Sequence, residues 1–225
     1  VNWLAFLKHV FGFPCSPNEL RTILKFTGRL PTIRAQFREI WLVIGRRGGN
    51  SFNFALIAVF LAFFVDWRRY LVPGEFGTII LIAQDRKQAR VILRYIKGLV
   101  DNIPFFKEKK SRETQWSLEI VSRRISIEIH TTSFRATRGY TIVAALLDEI
   151  AFWSSEDTAN PDDEIVNAIR PGMATVPGAM LLAASSPYAK RGVLYDTFRD
   201  YFGKSDPEVM VGQADTRAMN PKVPQ

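Results

Sequence analysis

Cysteine occurs once in this sequence, at Cys15, and histidine twice, at His9 and His130. That scarcity excludes a disulfide framework and argues strongly against a zinc site built from thiolates and imidazoles. A lone thiol suits a reducing cytoplasm. Long apolar runs are scarce too. The longest, Phe54–Val65, is twelve residues against the roughly 20 needed to cross a bilayer, and Arg46, Arg47 and Asp66 flank it closely. A helix apolar on every side is a buried one, so this run reads as a core helix. These residues show no pattern of a signal peptide and no internal repeat. The chain opens at Val1 rather than methionine and closes in the loop-like MNPKVPQ, so a fragment of a longer protein is expected.

Basic charge, by contrast, is in excess. Lys and Arg number 30 against 22 Asp and Glu, a net charge of +8. This suits a polyanionic partner, of which nucleic acid is the commonest, and equally a solubilising surface. With 225 residues, 47% of them hydrophobic, the chain can bury the core of one α/β domain.

Residues 1–38 carry Pro14, Pro17, Gly28 and Pro31 and read as a helical lead-in. Residues 39–225 alternate between strand-like and helix-like segments. EIWLVIG (39–45) is a buried strand, followed by a helix from about Ser51 to Val65. GTIILIA (77–83) is a second strand, and DRKQARVILRYIKGLVDN (85–102) has helical periodicity with Ala89, Ile92, Leu93 and Ile96 on one face. The alternation in SLEIVS and RISIEIHTT (117–132) predicts a half-exposed hairpin. TIVAALLDE (141–149) and AMLLAASS (179–186) are apolar runs ending in polar residues. Between them, NPDDEIVNAIRPG (160–172) starts as a helix should, with Asn160, Pro161 and two aspartates. GVLYDTFRDYFG (192–203) is a last amphipathic helix and EVMVGQA (208–214) a last strand. Fully apolar strands alternating with helices predict a mostly parallel sheet with helices on both faces, whose ligands bind at the carboxyl ends of the strands.

The chemistry-bearing residues fall at those ends. After the first core strand comes GRRGGNS (45–51), where Gly48 and Gly49 let amides turn inward and Ser51 opens a helix whose N-terminus favours phosphate. The usual G-x-x-x-x-G-K-[ST] spacing needs a small residue at position 44 and a lysine at position 50; this chain has Ile44 and Asn50. Asp148 and Glu149 end a run of apolar residues, the placement of a magnesium-holding aspartate and a water-polarising glutamate. Ser185 and Ser186, before Pro187, can hydrogen-bond the γ-phosphate or the water; alone they would mark only a turn.

In combination, WLVIGRRGGNSF, TIVAALLDEIAFW and LLAASSPYAKRGVLY resemble the ATPase domain of the large terminase subunit, the DNA-packaging motor of tailed bacteriophages. FTGR (26–29) and MNPKVP look familial as well. The resemblance implies an α/β fold of the P-loop NTPase type with an additional strand and a catalytic glutamate. It implies ATP and Mg2+ as cofactors. It also implies duplex DNA, a portal protein, the small terminase subunit and further copies in a ring as partners. It implies no membrane partner. The setting would be the cytoplasm of an infected bacterium, transiently docked on the procapsid. A C-terminal nuclease domain would follow Gln225.

Carried over by position, Gly45, Arg46, Arg47, Gly48, Gly49, Asn50 and Ser51 form the nucleotide loop, with Arg46 matching the family's loop arginine. Asp148 and Ser51 hold the metal, Glu149 is catalytic, and Ser185 and Ser186 couple nucleotide state to motion. Arg138, eleven residues before Glu149, matches the arginine that some terminases insert into a neighbour's site; a basic loop residue is the alternative. Arg29 or Gln36 in the lead-in are candidates for adenine contact. Lys107–Arg112 and the pair Arg123 and Arg124 read as a solvated face rather than a DNA contact.

Asn50 is neutral and too short to reach a γ-phosphate. Losing one such donor costs on the order of 10²–10³ in rate. Either the motor is disabled at this position, the favoured reading, or Arg46 or Arg47 supplies the charge. The competing functions are a helicase-like translocase domain and a non-hydrolysing nucleotide-binding module.

Overall fold

The computed structural model describes residues 2–31, 37–110, 112–132, 139–154 and 160–224. Gln36 and Arg138 lie outside the described residues. Two helices lead in: α1 (Asn2–Val10) and α2 (Pro17–Thr27). Ser16 and Glu19 form a reciprocal capping box at the start of α2, and Gly28 ends it at φ 65°, a left-handed turn suited to glycine.

The remaining chain alternates β1 (Glu39–Ile44), α3 (Asn50–Phe64), β2 (Gly77–Ala83), α4 (Arg86–Asn102), α5 (Pro104–Lys107), β3 (Arg112–Glu113), β4 (Ser117–Ile120) and β5 (Ile125–Thr131). There follow β6 (Thr141–Asp148), α6 (Pro161–Met173), β7 (Met180–Ser185), α7 (Val193–Tyr201), β8 (Val209–Ala214) and α8 (Thr216–Met219). Among the described residues, no helix is long and apolar enough to cross a membrane.

One eight-stranded sheet runs in the order β3-β4-β5-β2-β6-β7-β1-β8. The six strands from β5 to β8 are parallel, and β3 and β4 extend the sheet antiparallel. Every residue of β2 and β7 is buried, as strands covered on both faces require. Right-handed crossovers put α3 and α4, which pack on each other, on one face of the sheet. The same rule puts α6, packed on β6, and α7, packed on β1 and β8, on the other. Trp3, Phe6, Val10 and Phe26 of the lead-in belong to the same core as the strands.

The hairpin alternates as its sequence predicts. Leu118, Ile120, Ile125 and Ile127 are fully buried, while Ser117, Glu119 and Glu128 on the opposite face are half-exposed; β4 pairs antiparallel with one edge of β5, whose other edge pairs in parallel with β2. β7 lies between β1 and β6. Three strand ends that are distant in sequence therefore become adjacent, and those ends carry Gly45–Ser51, Asp148–Glu149 and Ser185–Ser186.

Candidate active site

The loop after β1 is held open by its own sequence and by distant donors. Ile44, the last residue of β1, packs so closely that a Cβ on Gly48 would come within 2.4 Å of its Cγ2. Position 48 therefore accepts only glycine, and the larger residue at position 44 is accommodated. Gly49 takes φ 95° as it caps α3, a conformation costly for other residues. Thr216 Oγ1 donates to the carbonyl of Arg46 at 2.9 Å, Asn220 Nδ2 to that of Arg47 at 2.9 Å, and buried Trp3 Nε1 to that of Gly48 at 2.7 Å. In a trans peptide the N–H points away from the C=O, so clamping these carbonyls outward aims the amides of Arg47 and Gly49 the other way. The Gly48 amide closes the turn on the carbonyl of Gly45 at 3.0 Å. Free amides turned inward at a helix N-terminus are the arrangement that suits an anion.

Asn50 is the first residue of α3, one position earlier than expected. It is only 9% exposed, not on an open loop. Its Oδ1 is buried without a hydrogen-bond partner. Ser51 Oγ donates to Asp148 Oδ2 at 3.2 Å across the gap between α3 and β6. Asp148 is 4% exposed and its Oδ1 has no partner. Burial, reinforced by the neighbouring Glu149 carboxylate, pushes the Asp148 carboxyl up to about 7; the Ser51 hydroxyl offsets only part of this. Trp153 Nε1 donates to the Asp148 carbonyl at 3.0 Å and fixes the strand tip.

Glu149 adopts φ 54°, a left-handed conformation that costs a residue with a Cβ about 1–2 kcal/mol. The turn brings its carboxylate back over β7, where Oε2 accepts from Ser185 Oγ at 3.1 Å, the Ser186 amide at 3.2 Å and Ser186 Oγ at 3.3 Å. Ser185 Oγ also accepts from the Ala151 amide at 3.3 Å. The two serines are buried and grip one oxygen of the glutamate, leaving the other to accept a proton.

Arg46 is exposed, and its guanidinium lies 5.4 Å from the centre of the Phe152 ring, three residues beyond Glu149. It lies against the turn that follows Glu149. Arg47 is exposed at φ 65°. Arg29 is elsewhere. Its Nη1 donates to the carbonyls of Asp206 at 2.9 Å and Val209 at 3.3 Å, where β8 begins. The loop lies at the other end of β8, where the Gly45 amide meets Ala214, five residues or about 16 Å away. The expected adenine contact at Arg29 finds no support in this geometry: the arginine braces the amino end of the sheet.

Sequence reasoning missed Trp3, Thr216 and Asn220; of the three only Asn220 had a signal, the familial look of MNPKVP (219–224). It also missed a cavity of about 460 Å³ beside Gly45, lined by Lys25, Phe26, Phe202, Gln213 and Asp215 among others.

Among solved structures, the chain superposes on the HK97 bacteriophage large terminase with a TM-score of 0.64 at 18% identity, over 83% of this chain and 40% of that one. The ATPase domain of the Thermus phage P74-26 large terminase gives a TM-score of 0.62 at 16% identity, over 96% of this chain and 87% of that chain. The fold is that of a large-terminase ATPase domain. An arginine-to-alanine mutant of the Thermus phage domain matches equally, with a TM-score of 0.63 at 15% identity over 96% and 88% of the two chains. The mostly parallel α/β sheet expected from the sequence is present, with β7 inserted between β1 and β6. This chain spans less than half the length of the HK97 protein. No protein-family model and no curated protein matches its sequence.

Proposed function

We propose that this chain is the ATPase domain of a viral DNA-packaging motor, coupling Mg-dependent ATP hydrolysis to translocation of duplex DNA into a capsid. One observation carries the reading. The hydroxyl of Ser51, the orphaned carboxylate oxygen of Asp148 and the serine-held Glu149 converge at three adjacent strand tips beside an amide nest. Nothing in a folded protein leaves such a buried oxygen unpaired without cost unless a ligand completes it.

A hydroxyl and a carboxylate are hard oxygen donors, the set that suits Mg2+ with the remaining positions left to water and phosphate. In the proposal Ser51 and Asp148 hold that ion, which when bound neutralises charge developing on the phosphates. The amides of Arg47 and Gly49 cradle the phosphates. Glu149 orients and deprotonates the attacking water through its free oxygen. Release of Glu149 from Ser185 and Ser186 shifts the tip of β7 and passes nucleotide state to α7. The cavity beside Gly45 takes the nucleoside; Phe202→Ala should weaken ATP binding several-fold while leaving the single-turnover rate constant unchanged, and a slower rate constant with intact affinity would refute it.

Arg138 is assigned to a neighbouring subunit's site in the assembled ring. Glu149→Gln subunits should bind ATP and not hydrolyse it, a loss of about 10²–10⁴. Mixed with Arg138→Ala subunits, in a version with normal turnover, they should recover activity at interfaces that unite one intact glutamate with one intact arginine. Normal hydrolysis by Glu149→Gln sinks the catalytic assignment; absent complementation in assembled rings returns Arg138 to a local role.

For Asn50, the position of Arg46 over Phe152 supports a substitute cation. The buried, unpaired Asn50 oxygen supports a disabled site that a lysine would repair. The substitution tested in the Discussion separates them.

A further inference from the structure

We infer that the outer edge of α4, where Arg86 and Arg90 lie over Trp116 and Arg94 follows one helical turn on, grips the phosphate backbone of duplex DNA. The inference rests on the motor reading and assigns its DNA-tracking surface. Arg86, Lys87, Arg90 and Arg94 are exposed, and among the described residues none has a carboxylate within salt-bridge distance. Their neighbours differ. Lys97 pairs with Glu113 at 2.8 Å, Lys110 with Asp101 at 2.8 Å, and Arg112 with Glu119 at 3.8 Å. Acids are thus available on this side of the molecule and are spent on other cations.

What holds Arg86 and Arg90 is an aromatic face. The guanidinium carbons of Arg86 and Arg90 lie 5.1 Å and 4.2 Å from the centre of the Trp116 ring. Trp116 is fixed in turn: its amide donates to Thr114 Oγ1 at 3.0 Å and its carbonyl accepts from Ile129 at 3.0 Å. A guanidinium stacked on a ring keeps its donors in the plane of the group, free for a bidentate phosphate, and has already lost part of its side-chain freedom. An arginine in a salt bridge has spent those donors.

The arrangement costs the fold something that the fold does not recover. Like charges four residues apart destabilise a helix, and cations in its first turn oppose the macrodipole. Arg86 and Lys87 are the first two residues of α4, which has no acid in that turn; only the cap Asp85 is acidic. A polyanion laid along this edge reverses both penalties. The three arginines rise about 6 Å per step along the helix. α4 begins where β2 ends, and β2 pairs in register with β6, Ile82 opposite Leu147, so the array starts on the edge that bears Asp148 and Glu149. DNA held there sits beside the hydrolytic strand tips.

The test is fluorescence anisotropy of this domain with a labelled 30-base-pair duplex across a salt titration. The combined Arg86→Ala, Arg90→Ala and Arg94→Ala variant should bind at least about tenfold more weakly at 0.1 M salt. Its log–log salt slope should be shallower by about 2.7, the loss of three phosphate contacts. A control removing three other exposed cations, Arg21, Arg69 and Lys204, should keep the parental slope. Binding of a fluorescent ATP analogue at parental affinity shows that the triple variant is folded. Unchanged duplex affinity and slope in the triple variant, or an equal loss in the control, overturns the surface assignment and leaves the motor reading standing. A parental domain that binds no duplex even at 50 mM salt overturns both.

Discussion

The tip of β1 and the tips of β6 and β7 form one site but are held in opposite ways. The loop after β1 is clamped from outside. Its carbonyls are taken by Trp3, Thr216 and Asn220, residues from both ends of the chain, and its functional groups are backbone amides. The carboxylate tip is held from inside, by Ser51 on Asp148 and by Ser185 and Ser186 on Glu149, and its functional groups are side chains that a ligand can take over. The first arrangement is a fixed mould. The second is a set of bonds that, on the proposed reading, exchange partners when a nucleotide binds, so the moving part of the site is expected at β6 and β7.

The largest effect is expected at the junction of the two. Asn50→Lys should raise Mg-dependent ATP turnover by about two to three orders of magnitude, mainly in the chemical step, because in the proposal the loop amides supply the ground-state phosphate binding. Turnover with magnesium, for both versions, is the measurement. If the asparagine form already matches the lysine form, Arg46 carries the charge, and Arg46→Ala should then abolish activity.

A smaller effect tests the exchangeable tip. The folded Asp148 carboxyl holds its proton until about pH 7, whereas the unfolded chain releases it near 3.8. Its contribution to stability is therefore full below about pH 4 and is lost as pH rises through 7, a swing of up to about 4 kcal/mol. In the absence of nucleotide and metal, Asp148→Asn should be more stable than the parent at pH 8 by up to that amount and nearly equal to it at pH 4. Equal denaturation midpoints at both pH values would show that Asp148 is not held as the structure implies.

The smallest effect tests the mould. Trp3→Phe removes one clamp and leaves the buried Gly48 carbonyl unpaired, at a cost of about 1–3 kcal/mol. ATP affinity should fall about tenfold with the pH dependence of stability unchanged. A variant with parental ATP affinity would place the rigidity of the loop in its glycines alone.

These two kinds of restraint also divide what could be read from the sequence. Continuous apolar strands ending in polar pairs made the sheet and the tip residues Asp148, Glu149, Ser185 and Ser186 visible, because burial and strand direction are written locally. The insertion of β7 between β1 and β6 is a long-range pairing and came from resemblance rather than periodicity. The clamps join residues separated by as many as 173 positions, which no local pattern encodes. Arg29 was misplaced for the same reason: the position of FTGR in the chain says nothing about which end of β8 it meets. Asn50 looked like a loop residue because the helix start was placed one residue late.

The outermost strand has a consequence of its own. β3 is two residues long, and both, Arg112 and Glu113, are exposed and charged. A sheet grows by adding strands to an open edge, and this edge offers almost no ladder to copy while presenting charges to anything that approaches. At the high local concentration of a crowded assembly, the domain is thereby protected on that side against fibril-like aggregation. Copies meeting there must recognise each other through side chains, which can be released again, rather than through a shared sheet, which cannot.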